Sequence, residues 1–152
     1  MLTAVVARPS IAEAIASRLP GTHDVPLTPD LALVPIPGAS GQNFGDEQPL
    51  LLEQPFPDRL SSVLADVSDT GPVAYVEAAF HGGSGEQASI VWDHGAVVLG
   101  PLVDLEVCPS PTAPINSALQ RLGVRVEPPA EDEFATIGLG RHRWTGQWRA
   151  DA

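Results

Sequence analysis

Apolar positions recur in two periods along this chain, one near 3.6 residues and one near 2, and the switches between them mark the elements. Ser10 precedes Glu13 by three positions, as in a capping box, and Ile11, Ile15 and Leu19 follow at four-residue spacing until Pro20-Gly21. This predicts a short amphipathic helix. Asp58 stands as a cap before Leu60, Val63, Leu64 and Val67, which keep to one helical face up to Gly71-Pro72. A third helix is predicted from about 113 to 122, with Ile115, Ala118, Leu119 and Leu122 as its stripe. Pro114 suits its first turn and Gly123 its left-handed stop.

Runs rich in β-branched and apolar residues predict strands at 2–6, 31–36, 73–80, 88–92, 96–99 and 124–126. In the longest of these, 73–80, Tyr75, Glu77, Ala79 and His81 share one face while Ala74, Val76, Ala78 and Phe80 share the other. One of these faces is expected to be buried, with Glu77 solvated. Asp93-His94-Gly95 reads as a tight hairpin in which Gly95 takes positive φ. The order is then β-α-β-α-β-β-β-α-β, followed by a short helix at 129–136 and an irregular tail from about 138. Helices on a mixed or mostly antiparallel sheet with a central hairpin make a single α+β domain over 1–152, with about three packed helices. A doubly wound parallel sheet is the alternative. Nine of the 16 prolines fall in the first 57 residues, so 35–57 is expected to be a Pro/Gly-rich loop.

Composition narrows the function classes. The 152 residues carry 8 basic side chains, all Arg, against 19 acidic ones, a formal net charge of -11. Such a chain lacks the basic surface that nucleic acid or an anionic membrane requires. The lone Cys108 permits neither an intrachain disulfide nor a cysteine zinc site, which fits a reducing, cytoplasmic location. The opening apolar residues lack a basic region and length for a signal peptide, and no run is long enough to span a bilayer.

The most distinctive segment is His81-Gly82-Gly83-Ser84-Gly85-Glu86-Gln87. Its glycines expose backbone amides, as an anion cradle or oxyanion hole requires. It is neither a Walker A loop nor a dinucleotide turn, and Ser84 has no nucleophile-elbow spacing. Glu77, His81 and Glu86 carry metal-ligand chemistry, but Glu77 and His81 are about 13 Å apart along one strand. Asp93 and His94 are expected to point apart at their turn. A Ser/His/Asp set can be written from Ser84, His142 and almost any carboxylate, so no catalytic residue, metal or cofactor is assigned.

Tyr75-Val76-Glu77 with Phe80, Gly82-Gly83, Gly85 and Gln87 resembles a segment of small bacterial proteins without an assigned activity. Asp132-Glu133-Phe134 and Gly138-Leu139-Gly140-Arg141-His142 are similar to the end of the same group. The resemblance covers the C-terminal half and implies no reaction.

Two features point to a protein partner. Between 60 and 120 there are seven acidic residues and no Arg, and Glu127, Glu131, Asp132 and Glu133 extend that field. The tail 141–149 concentrates Arg141, Arg143 and Arg149 with Trp144 and Trp148, residue types favoured at binding hot spots. The expectation is an acidic cytoplasmic interaction module, in its concrete form an inhibitor or immunity-type protein for a basic partner. Glu131, Asp132 and Glu133 are its candidate contacts, with Trp92, Trp144 and Trp148 as anchors if exposed. One alternative is a small enzyme or ligand-binding domain built on His81, Gly82, Gly83, Ser84, Gly85 and Glu86; another is a structural subunit of a larger assembly. Nothing in the sequence sets an oligomeric state.

Overall fold

A strand covered on one side alternates apolar and polar residues, but Leu2–Ala7 is buried at every position. It therefore lies inside a sheet with cover on both faces. The structure, a computed structural model, describes residues 1–36, 56–81, 84–107 and 110–151. Six strands, β1 (Leu2–Ala7), β2 (Val25–Thr28), β3 (Leu31–Pro35), β4 (Val73–His81), β5 (Ser84–Asp93) and β6 (Ala96–Val107), form one sheet. Their order is β2-β3-β1-β4-β5-β6, and every neighbouring pair is antiparallel. The fold is α+β, and the parallel alternative falls away.

Helices α1 (Pro9–Arg18) and α2 (Asp58–Val67) cover one face. Ile11, Ile15, Leu60 and Leu64 meet Val5, Val34, Tyr75 and Trp92 there. Helix α3 (Pro114–Arg121), the single turn α4 (Glu133–Thr136) and the C-terminal segment cover the other. On that side Ile115, Leu119, Leu139 and Trp148 pack on Leu2, Leu33, Val76 and Val91. Burial on both faces of β4 corrects the expectation of one solvated face. Glu77 is 0% exposed rather than solvated, because β1 and β5 flank it in register at Thr3 and Ala88.

The helices begin differently from their sequence signals. Pro9, with φ fixed for a first helical position, makes Arg8 the cap of α1, so Ser10 lies inside the first turn and forms no side-chain cap. Asp58 is likewise the first helical residue of α2, after Pro57. The cap of α3 comes from the sheet. The Ile115 N–H donates to Gln87 Oε1 at 3.2 Å, and Ser89 Oγ donates to the Pro114 carbonyl at 2.6 Å.

The turn between β5 and β6 forms as expected, with Gly95 at φ +79° and also His94 at +51°. Ser68 holds it, accepting the His94 N–H at its carbonyl and the Gly95 N–H at its hydroxyl, both at 2.9 Å. This hairpin is at the edge of the sheet rather than its centre. β6 runs on to Val107 through a bulge at Gly100-Pro101, where Ser89 pairs with Leu102 and Val91 with Leu99. Residues 124–126 form no strand. The tail is ordered into 3-10 turns at Leu139–Arg141 and Thr145–Asp151. It is pinned to β1, since Thr145 Oγ1 accepts the Thr3 N–H at 2.8 Å and the Thr145 N–H donates to the Met1 carbonyl at 3.1 Å. Most of the expected loop at 35–57, together with Cys108, lies outside the described residues.

Candidate functional site

β4 and β5 are joined through Gly82 and Gly83, because His81 and Ser84 already pair in register. Gly85 and Glu86 are thus strand residues, opposite Phe80 and Ala79, and not members of a loop. Gln87 accepts its hydrogen bond from α3. Gly82 and Gly83, and the side chains of His81 and Ser84, lie outside the described residues. What remains of the segment holds helix to sheet.

The buried carboxylate of Glu77 accepts a hydrogen bond from Tyr75 Oη at 2.6 Å, two residues along the same strand face. A hydrogen bond of this length compensates part of the cost of burying the carboxyl group. Among the described residues, no group of three or more His, Cys, Asp or Glu side chains is placed to hold a metal ion.

Two His–Asp contacts occur among the described residues. His94 Nδ1 lies 2.9 Å from Asp93 Oδ1, so these neighbours meet instead of pointing apart, on a turn where His94 is exposed. His142 Nε2 lies 2.8 Å from Asp151 Oδ2, and Arg141 approaches the same oxygen at 3.4 Å. His142 also sits edge-on to Trp148, with ring centroids 5.0 Å apart, and the Arg141 guanidinium lies 5.4 Å from the Trp148 ring centre. No hydroxyl or thiol among the described residues bonds to His142. The cluster fastens the last turn of the tail and lacks a nucleophile.

A broad groove of about 1090 Å³ runs past the start of α1 and the end of α3. Its charged lining, Arg8, Asp30, Arg125 and Glu127, is of balanced sign, and no histidine lines it. Among the described residues the hydroxyls of Thr28 and Thr136 that line it bond to backbone groups and not to a carboxylate.

The expected partner contacts separate into buried and exposed residues. Trp92 (3% exposed) and Trp148 (0%) are core residues, because Trp92 stacks beside Phe56 and Trp148 seals the sheet under the tail. Trp144, at 53%, is exposed. Asp132 Oδ1 caps α4 by accepting the Ala135 N–H at 2.7 Å, and Glu133 accepts from Gln120 Nε2 at 2.9 Å while itself buried. Of that acidic trio only Glu131 is exposed; Asp132 is half-buried.

Sequence reasoning missed the surface that stands out. Among the described residues six large hydrophobics are exposed, and four of them, Val97, Val98, Val103 and Leu105, belong to β6. Val103, Asp104, Leu105 and Glu106 are exposed in succession, apolar alternating with acidic. Among the described residues β6 pairs only with β5, so its outer side has no strand partner there. The Val/Leu content could have signalled it, had the strand not been ended at Gly100-Pro101. Comparison with known proteins finds no matching family model, no matching curated protein and no matching solved structure. The geometry of the chain itself therefore carries the functional reading.

Proposed function

We propose that this chain is a protein-interaction module that engages its partner along β6. The observation that carries the reading is the concentration of exposed apolar side chains on one unpaired edge strand. Contiguous exposed apolar surface beside polar residues is the usual mark of a docking site. The net charge of -11 adds a field that favours a basic partner. In its concrete form the module is an inhibitor or immunity-type protein acting on a cationic enzyme in the cytoplasm. Among the described residues the two His–Asp contacts and the groove supply no assembled nucleophile and base, so the enzymatic alternative has less support.

The test compares the chain with its Val103→Ser/Leu105→Ser variant as baits in extract of the native host, after matching their thermal melts. The reading expects one identified protein to be retained by the first and lost by the second. A partner retained equally by both would move the contact surface away from β6.

A further inference from the structure

Edge pairing and charge together specify what the partner brings. We infer that β6 is extended by an extended segment of the partner that alternates apolar with Lys or Arg residues, added beside Leu102–Val107 as a further strand. This inference rests on the reading of β6 as the contact surface and deepens it.

The stretch beyond the Gly100-Pro101 bulge is exposed at 103–106, so side chains on both of its faces are open to a neighbour. Val103 stands opposite Ala88, on the sheet face shared with Ile90 and Trp92, whereas Asp104 stands opposite Gln87 on the α3 face. An added strand places its side chains beside these in the same two-residue period, so it meets apolar Val103 on one face and acidic Asp104 on the other. The register with β5 shifts again between Gly85 and Gln87, which puts Leu105 and Glu106 in a bulge just beyond this pair. Favourable cross-strand pairs then require an apolar residue beside Val103 and a cation beside Asp104, and Glu106 adds a second negative charge close by. Main-chain hydrogen bonds supply the remainder of the contact, as in other cases of strand addition.

The same charges argue against a second copy. β6 contains Asp104 and Glu106 and no basic residue, and each copy carries -11 overall. Self-pairing would bring like charges together, whereas a basic strand neutralises them. Nucleic acid is disfavoured by the same field.

The experiment measures binding of labelled ten-residue peptides to the full chain by fluorescence anisotropy. The probes are a strictly alternating Val/Lys peptide, a block peptide of the same composition, an alternating Val/Glu peptide, and the Val/Lys peptide with N-methyl groups along one edge. The expected result is binding of the alternating Val/Lys peptide about tenfold or more above the block and Val/Glu peptides, from the summed cross-strand pairs. N-methylation should abolish it. Asp104→Asn/Glu106→Gln should weaken it by about tenfold, and Asn retains the oxygen that accepts the Glu106 N–H at 2.9 Å, which preserves the local turn. Equal binding of the block or N-methylated peptide would overturn the inference, since attraction would then be by charge alone. Absence of binding would overturn it too. If the chain then sediments as a dimer that Leu105→Ser separates, β6 is still a contact surface but a second copy occupies it. If neither peptide, dimer nor host protein depends on β6, the interaction reading falls as well.

Discussion

At the scale of single residues, the outer hairpin depends on Gly100. Its φ is +89°, and a Cβ there would stand 2.6 Å from the Ser89 carbonyl oxygen and 2.8 Å from the Leu102 nitrogen. Both neighbours are backbone and cannot turn aside. Gly100→Ala should therefore destabilise the protein by about 2 kcal/mol or more, read as a lower midpoint in urea. Asp151 makes a prediction of a different kind. The hydrogen bond from His142 is the chief cause holding its carboxyl below the usual value; lost hydration opposes it, and the charges of His142 and Arg141 reinforce it. A carboxyl lowered in the folded state contributes stability above its unfolded pKa, and that contribution disappears as pH falls through the folded one. Between about pH 5 and pH 2 the melting temperature of the wild type should fall more steeply than that of Asp151→Asn. Parallel curves would show that the carboxylate does not hold the tail.

At the scale of elements, the contact between β5 and α3 decides how the C-terminal layer is held. Gln87 and Ser89 point to the same face, and each meets the first turn of α3 with one hydrogen bond. Gln87→Leu removes the acceptor of the Ile115 N–H and should cost about 1 kcal/mol, with hydrogen exchange accelerated first in α3. Uniform acceleration across the sheet would instead make the loss global. The elements most legible in the sequence were α2 and α3, whose apolar residues occupy one helical face and stop at Gly-Pro or Gly. β2 was hidden because Val25–Thr28 is short and contains Pro26, which an edge strand tolerates. At 124–126 the residues have strand composition, yet no neighbouring strand supplies hydrogen bonds. The starts of the helices escaped because Pro9 and Pro57 fix the first turn more firmly than the nearby Ser and Asp. For the candidate site the difficulty is more basic. Exposed Val and Leu on β6 have the same one-dimensional signature as the buried Val and Leu of β1, and only the sheet order tells them apart.

At the scale of the whole molecule, charge and shape are unevenly distributed. The β5–β6 end carries carboxylates without Arg, while Arg141, Arg143 and Arg149 cluster on the segment that packs beside β1, β2 and β3. A basic partner should approach the β6 end first, at a rate that falls as salt screens charges beyond about 8 Å. Stopped-flow association at rising ionic strength checks this; a salt-independent rate would reduce the acidity to a property of solubility. The open edge has a further consequence for the protein at high concentration. A strand that can accept one visitor can also template the stacking of partly unfolded neighbours, which is how ordered aggregates begin. Pro101 has no amide hydrogen to offer such a stack, and repeated register shifts interrupt the ladder along β6. Asp104 and Glu106 add repulsion between identical copies. The irregular middle of β6 thus serves as a gatekeeper against fibril growth, leaving the edge open to a foreign strand and inhospitable to its own kind.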